Sequence, residues 1–187
     1  MTAFVALLRG VNVAGRRRVG MDALRKSCEA LGLSDVVSYL QSGNLVFSST
    51  QEDSHGLADA LEAKIAADFG QEVNALVLPT KEFEEIVSAN PLSPRAKQAG
   101  QLYHATFLFR HVPETLFGEL QLPLEDAERA ALVGRVVYLY CPNGYGKCSL
   151  NTAYFEKALG ANATTRNWRT VRALQALCAK QPLAAAP

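Results

Sequence analysis

Two loops of the chain combine glycines with basic and amide side chains. The first loop spans residues 10–18 and reads GVNVAGRRR, directly after an apolar run that ends in arginine. Its polar side chains, with that arginine, are Arg9, Asn12, Arg16, Arg17 and Arg18. Glycines leave backbone N–H groups accessible, and guanidinium groups hold phosphate or carboxylate through paired hydrogen bonds. The composition predicts anion binding, and the alternative is a solvated surface loop.

The second loop, GYGKCSLN at 144–151, precedes an apolar pattern typical of a helix. Lys147 supplies a positive charge, and Ser149 or Asn151 can cap the helix that follows. Glycines, a lysine and a helix N-terminus together favour phosphate binding. The spacing is not that of a P-loop, so we do not expect a nucleoside triphosphatase. The alternative is a loop with a purely structural role.

Two shorter motifs complete the candidate site. The sequence TTRNW at 164–168 predicts the start of the last helix, with Thr165 or Asn167 as its N-cap. Arg166 would then face an unfavourable helix dipole, which indicates an anionic partner. The sequence SGN at 42–44 predicts a tight turn between two strands. A ligand role for Asn44 is the alternative there.

The titratable residues do not define a catalytic set. No histidine lies near Ser149 in sequence, and His104 and His111, at the ends of a predicted strand, are expected to be satisfied structural residues. Catalytic residues therefore stay unknown. The four cysteines form no CxxC pair, so we predict free thiols, no disulfide and no zinc site. We also predict no cofactor.

Charge is distributed unevenly along the chain, although the net charge is only +1. Residues 1–26 hold six basic residues and one acidic residue, and residues 134–187 hold seven and one. Residues 51–133 hold fourteen acidic and six basic residues. If the two basic ends meet, they form a positive face that attracts anions. We predict that Arg9, Asn12, Lys147 and Arg166 converge in one pocket there, with the Lys147 and Arg166 head groups facing solvent.

Hydrophobic periodicity and turn residues predict an α+β fold with an internal duplication. The first half is predicted as βαββαβ and the second as βαββα, two ferredoxin-like units with helices packed on one side of each antiparallel sheet. The predicted boundaries are 1–89, a linker at 90–100, and 101–187 with two terminal helices. The chain has no apolar run of membrane-spanning length and no basic leader. We therefore expect a cytoplasmic protein without membrane association.

Three segments carry a family resemblance: LLRGVNVAGRRRVGM (7–21), YLQSGNLVFSS (39–49) and GYGKCSLNTAYFEKALGANATTRNWRTV (144–171). Together they resemble the signatures of the bacterial domain-of-unknown-function family numbered 1697. The resemblance implies an α+β fold with two ferredoxin-like halves and implies no reaction. Two positions depart from the family pattern: Gly20 replaces a usual proline, and Cys148-Ser149 replaces a serine followed by a basic residue.

Three functional hypotheses follow from these observations. The first is a binding protein for an anionic ligand, either nucleic acid or a phosphorylated metabolite. The second is an enzyme acting on a phosphorylated or carboxylated small molecule through Lys147 or Ser149. The third is a structural module that forms a homodimer through an exposed sheet edge.

Overall fold

The structure is a computed structural model that describes residues 1–12, 18–92, 100–124 and 127–181. The chain divides into two compact units. Unit 1 consists of Met1–Glu84 with Leu174–Pro187, and unit 2 consists of Glu85–Ala173. Residues 93–99 of the predicted linker lie outside the described part of the chain.

Unit 1 is built on a four-stranded antiparallel sheet with the strand order β2-β3-β1-β4. The strands are β1 (Thr2–Arg9), β2 (Ser34–Tyr39), β3 (Asn44–Ser49) and β4 (Asn74–Pro79). Helices α1 (Met21–Glu29) and α2 (Ser54–Phe69) complete the βαββαβ order. Alternate residues of the central strand β1, namely Phe4, Ala6 and Leu8, are buried in one core with both helices. This is the ferredoxin-like arrangement.

Unit 2 repeats the same strand order, β6-β7-β5-β8, again with every neighbour antiparallel. Its strands are β5 (Tyr103–Leu108), β6 (Arg129–Val133), β7 (Val136–Tyr140) and β8 (Ala163–Asn167). Helices α4 (Glu114–Gly118) and α5 (Thr152–Leu159) pack their apolar residues against this sheet. The equal strand orders confirm the predicted α+β fold with two ferredoxin-like halves.

Two further helices contain the points at which the chain passes from one unit to the other. These are α3 (Thr80–Ser88) and α6 (Trp168–Cys178). Within unit 2, the phenol of Tyr138 donates a hydrogen bond of 2.6 Å to the carbonyl of Ile86 in α3. The same ring packs edge-on against Trp168 at the start of α6, as expected for a tryptophan in the core.

Capping residues define the ends of the second crossover helix of each half, α2 and α5, in the same way. Asp53 accepts hydrogen bonds from the second and third backbone N–H groups beyond it, and Gly70 ends α2 in the left-handed conformation. Asn151 and Gly160 occupy the same places on α5. Because these signals are local, each helix is bounded by its own sequence.

Strand β8 is the main difference from the predicted order. We predicted βαββα for the second half, with residues 164–168 opening the last helix and Thr165 or Asn167 as its N-cap. Asn167 does cap that helix, but the order lacked the final strand at Ala163–Asn167 and was wrong there. Thr164 and Thr165 instead lie in an edge strand paired with β5, and α6 begins only at Trp168. β-branched threonines favour strands, so pairing with β5 outweighed the local capping signal.

None of the helices in the described ranges is both long enough and apolar enough to cross a membrane.

Candidate anion-binding site

The first predicted loop begins at the end of β1, where Arg9 is half-buried and pairs with Asn74 of β4. Gly10 then takes a φ of +92°, a conformation that favours glycine. Arg16 and Arg17 fall outside the described residues, so their predicted roles stay predictions. Arg18 is described and exposed.

Asn12 holds this loop together through its side chain. Its Nδ2 donates to the carbonyls of Val19 at 3.1 Å and Gln41 at 2.9 Å, and its Oδ1 accepts from the Val19 N–H at 2.7 Å. Both amide protons are therefore used to join the two ends of the loop to the neighbouring turn. These contacts give Asn12 a structural role.

Asn44 has a similar role in the turn between β2 and β3. The side chain is fully buried, and its Nδ2 donates to the Tyr39 carbonyl and to Ser42 Oγ. The turn also packs tightly, because a Cβ on Gly43 would lie 2.5 Å from Val11 Cγ1. These contacts agree with the predicted role of the SGN sequence at 42–44 as a tight turn.

Arg18 lines a cavity of about 450 Å³ beside the N-terminus of α1. Gly20 and Ala23 form part of the wall, and Gly20 occupies the N-cap position without a side-chain hydrogen bond to the helix. The first N–H groups of α1 thus lack a side-chain cap from the described residues. Such groups carry a partial positive charge that favours anions.

An acidic residue also borders this cavity. Asp68 accepts hydrogen bonds from Ser27 Oγ at 2.6 Å and from Lys64 Nζ at 3.0 Å, and these two donors lower the pKa of its carboxyl. Asp68 is therefore ionised at neutral pH, and Lys64 balances its charge. Because Asp68 is hydrogen-bonded to Ser27 and Lys64, Arg18 is the positively charged side chain among the described residues that line the cavity.

The second predicted loop contains a 3₁₀ turn, Tyr145–Lys147, in which Lys147 is exposed. Asn151 caps α5 as predicted, because its Oδ1 accepts from the Tyr154 N–H at 3.0 Å. The Thr152 N–H donates to the phenol oxygen of Tyr145 at 3.0 Å. Two donors at this helix terminus are thus used within the protein. The predicted phosphate site at this loop stays a prediction that depends on Lys147 and Ser149.

A chain of hydroxyl groups connects this loop to the sheet of unit 2. Thr152 Oγ1 lies 3.1 Å from the Tyr145 phenol and 2.7 Å from Thr165 Oγ1, which is 2.8 Å from Thr106 Oγ1. The chain runs from the half-buried Tyr145 to the fully buried Thr106. Thr165, which pairs with Thr106 in the sheet, thus has two hydroxyl partners within the protein.

His104 lies at the end of this hydroxyl chain, stacked on Tyr145 with ring centroids 4.6 Å apart. Asn167 Nδ2 is 3.3 Å from His104 Nε2, so Nε2 accepts the hydrogen bond and the proton resides on Nδ1. Burial lowers the pKa of His104 to about 4, so the ring is neutral. Nδ1 is buried, and a hydrogen bond from the ring to the backbone of Leu102 acts to raise the pKa of His104.

The two remaining predicted residues point to opposite faces of β8. Asn167 caps α6, because its Oδ1 accepts from the Arg169 N–H at 2.9 Å. Arg166 is only 7% exposed, and its Nη1 donates to Thr164 Oγ1 and the Thr165 carbonyl. Burial lowers the pKa of Arg166 to about 10, so the group stays charged at neutral pH. The expectation that its head group faces solvent was wrong, because strand pairing turns it inward.

The structure therefore groups the predicted residues within each unit. Arg18 lies at the cavity of unit 1, beside the loop held by Asn12. Thr165 and Asn167 lie in the hydroxyl and imidazole cluster of unit 2. Convergence of the two loops in one pocket stays a prediction. Sequence analysis missed His104 and Tyr145 as cluster members, since their contacts depend on β8.

The described residues contain no group of three or more His, Cys, Asp or Glu side chains arranged to hold a metal ion.

The fold and these sites define a two-unit α+β protein with a cavity in unit 1 lined by Arg18 and Asp68 and a polar cluster in unit 2. Residues 1–138 match the family described as "Protein of unknown function (DUF1697)", and the chain belongs to this family. The match confirms the resemblance seen in the sequence. Comparison with curated proteins gives no match.

A solved structure with a similar fold is that of the conserved bacterial protein SP0830 from Streptococcus pneumoniae. The sequence identity is 24%, the TM-score is 0.72, and the alignment covers 95% of this chain and 98% of that one. At this level of identity the similarity establishes the fold and leaves the function open.

Proposed function

We propose that the protein binds a small anionic ligand, such as a phosphorylated metabolite, in the cavity of unit 1 that Arg18 lines. The observation that carries this proposal is the shared wall of the cavity. An exposed guanidinium and the uncapped start of α1 border the same space of about 450 Å³. Ligand cavities for small molecules typically have volumes of roughly 300–1,000 Å³.

The crossover helices of the two ferredoxin-like halves differ at their N-termini, since α1 and the five-residue helix α4 have no side-chain cap whereas α2 and α5 have one. Asp53 caps α2 and Asn151 caps α5, so those termini already have an internal acceptor. At α1, Gly20 offers no side-chain acceptor. An anion at this position would accept hydrogen bonds from backbone N–H groups and interact with the helix dipole, which contributes about 0.3–1 kcal/mol at an exposed site.

Arg18 adds the stronger interaction. A hydrogen bond between charged groups contributes about 1.5–3 kcal/mol, and a guanidinium can form two to one phosphate. Loss of Arg18 should therefore weaken binding about tenfold or more, since 1.4 kcal/mol corresponds to a factor of ten. Binding should also weaken with added salt, because the site is open to solvent.

A thermal-shift screen of the full chain tests the proposal. Inorganic phosphate, nucleoside monophosphates, sugar phosphates and short oligonucleotides are added separately at low salt. A ligand at one hundred times its Kd stabilises the native state by about 2.7 kcal/mol, which raises the unfolding midpoint by several degrees. We expect a phosphorylated metabolite to raise the midpoint more than the unphosphorylated compound does.

The matched variants are Arg18→Gln and Arg169→Gln. Both remove one exposed guanidinium, and Arg169 belongs to α6 rather than to the cavity. We expect Arg18→Gln to reduce the shift by about half or more, because tenfold weaker binding lowers the stabilisation from about 2.7 to about 1.4 kcal/mol. Arg169→Gln should retain the shift. Equal loss in both variants would indicate nonspecific electrostatics and refute a site at Arg18. A shift with oligonucleotides alone would favour the nucleic-acid hypothesis instead.

A further inference from the structure

The cavity that Arg18 lines has a second polar side, formed at the C-terminal end of α2. Asp68 and Phe69 are the last two residues of that helix, and both line the cavity. Gly70 then ends the helix in the left-handed conformation with a φ of +64°, and Gln71, directly after this turn, lines the cavity as well. A carboxylate, an aromatic ring and a carboxamide thus border the same space as the guanidinium.

Asp68 is a hydrogen-bond acceptor with capacity for further donors. Its Oδ1 accepts from Lys64 Nζ at 3.0 Å, and its Oδ2 accepts from Ser27 Oγ at 2.6 Å. A carboxylate has about four lone-pair sites, so two more donors can bind to it. The side chain is 31% exposed, which leaves the carboxylate accessible. Because Lys64 already balances the charge, neutral donors such as hydroxyl groups suit this position better than a second cation.

A bare anion does not match the cavity as a whole. Arg18 attracts phosphate, but the carboxylate of Asp68 lines the same space and repels it. A ligand that suits both side chains carries an anionic group and, apart from it, several hydrogen-bond donors. The half-buried ring of Phe69 adds an apolar surface to the same wall.

We propose, on the basis of the anion-binding function proposed for this cavity, that the ligand is a sugar phosphate, with its phosphate at Arg18 and its hydroxyl groups at Asp68 and Gln71. A sugar hydroxyl donates to a carboxylate oxygen, and a carboxamide has both donor and acceptor groups for a second hydroxyl. Gln71 is buried, so a hydrogen bond to it is shielded from water and strengthened. The C–H groups of the sugar ring pack on Phe69, because the face of an aromatic ring is negative.

Isothermal titration of the full chain tests this assignment. The probes are ribose 5-phosphate, glucose 6-phosphate, inorganic phosphate and adenosine 5′-monophosphate, each at low salt. We expect at least one of the two sugar phosphates to bind about tenfold more tightly than inorganic phosphate, because hydrogen bonds to Asp68 add to the interaction at Arg18. Arg18→Gln should weaken the binding of inorganic phosphate and of the sugar phosphate by similar factors, since both use the same phosphate position.

Asp68→Asn distinguishes recognition of the sugar from a merely structural role. The substitution keeps the shape of the side chain and removes its charge. Binding of the sugar phosphate should therefore weaken about tenfold, whereas inorganic phosphate should bind equally or more tightly. Asp59→Asn is the matched control, because Asp59 is an exposed aspartate of α2 that is not among the described residues lining the cavity. Urea unfolding checks that both variants are folded.

Three results would overturn the sugar phosphate while an anion site at Arg18 remains. The first is equal affinity for inorganic phosphate and both sugar phosphates, and the second is tighter binding of adenosine 5′-monophosphate than of ribose 5-phosphate. The third is equal weakening of inorganic phosphate and sugar phosphate by Asp68→Asn. If no probe binds, or if Arg18→Gln leaves all affinities unchanged, the anion-binding function itself is refuted and the sugar phosphate with it.

Discussion

Replacing Gly43 with alanine tests how the loop that carries Arg18 is held against the sheet of unit 1. Gly43 has a φ of +72°, which side-chain-bearing residues rarely adopt. A Cβ added there would lie 2.5 Å from Val11 Cγ1 and 2.8 Å from Leu8 Cβ. Leu8 Cβ is bonded directly to the backbone of the central strand β1, so no rotamer change can move it away.

Two effects determine the size of the change in stability. The left-handed conformation costs an alanine about 1–2 kcal/mol. Overpacking of a buried contact costs a further 1–3 kcal/mol, roughly, because Leu8 and Val11 are both buried. We therefore expect Gly43→Ala to lower the free energy of unfolding by about 2–5 kcal/mol, the sum of these two ranges.

Gly134 provides the matched control in the corresponding hairpin of unit 2. It has a φ of +59°, and a Cβ there would meet no atom within 4 Å. Gly134→Ala should therefore cost only the conformational part, about 1–2 kcal/mol. The difference between the two variants measures the packing contribution alone.

Urea unfolding followed by far-UV circular dichroism gives both free energies, and hydrogen exchange of the β1 amides assigns the loss in Gly43→Ala to unit 1. If the two variants agree within about 0.5 kcal/mol, the close packing of the turn is not a source of stability and the reasoning fails. Gly43→Ala should also weaken ligand binding at Arg18, because Val11 belongs to the same loop.

The remaining predictions concern four other side chains. Burial lowers the pKa of His104 to about 4, so the unfolded chain binds a proton at this imidazole more readily than the folded chain does. The free energy of unfolding should therefore be highest above about pH 6.5 and fall by up to about 3 kcal/mol as the pH drops through 4. His104→Gln should flatten this pH dependence in urea titrations. Arg166→Met should lower the free energy of unfolding by about 1.5–3 kcal/mol, more than Arg169→Met, because Arg166 is buried and hydrogen-bonded; equal losses in urea titrations would contradict its buried role. Isothermal titration can test whether the two loops share a ligand, with the variants Arg18→Gln, Lys147→Gln and the double variant. If they do, the effects of the two substitutions on the binding free energy should deviate from additivity by more than about 0.5 kcal/mol.

The sequence determined most of the fold because the signals that encode it are local. Alternating and helical hydrophobic patterns placed seven of the eight strands that the structure describes, and glycines marked the C-terminal end of α2 and the hairpin turns. The similar order of elements in both halves predicted the duplication. Each observed cap, Asn151 and Asn167, was one of the two residues predicted at its position, since an N-cap acts within three residues of itself.

The tertiary structure decided what each polar residue contacts. Asn12 looks the same in sequence whether its amide binds a ligand or the backbone of a turn 29 residues away, and only the folded chain brings Gln41 to it. Arg166 was read as a helix residue, but pairing with Ala105 makes it a strand residue whose side chain points inward. Such contacts join residues that are far apart in sequence. Their distance in space is set by how the chain folds back on itself, and sequence spacing does not specify it.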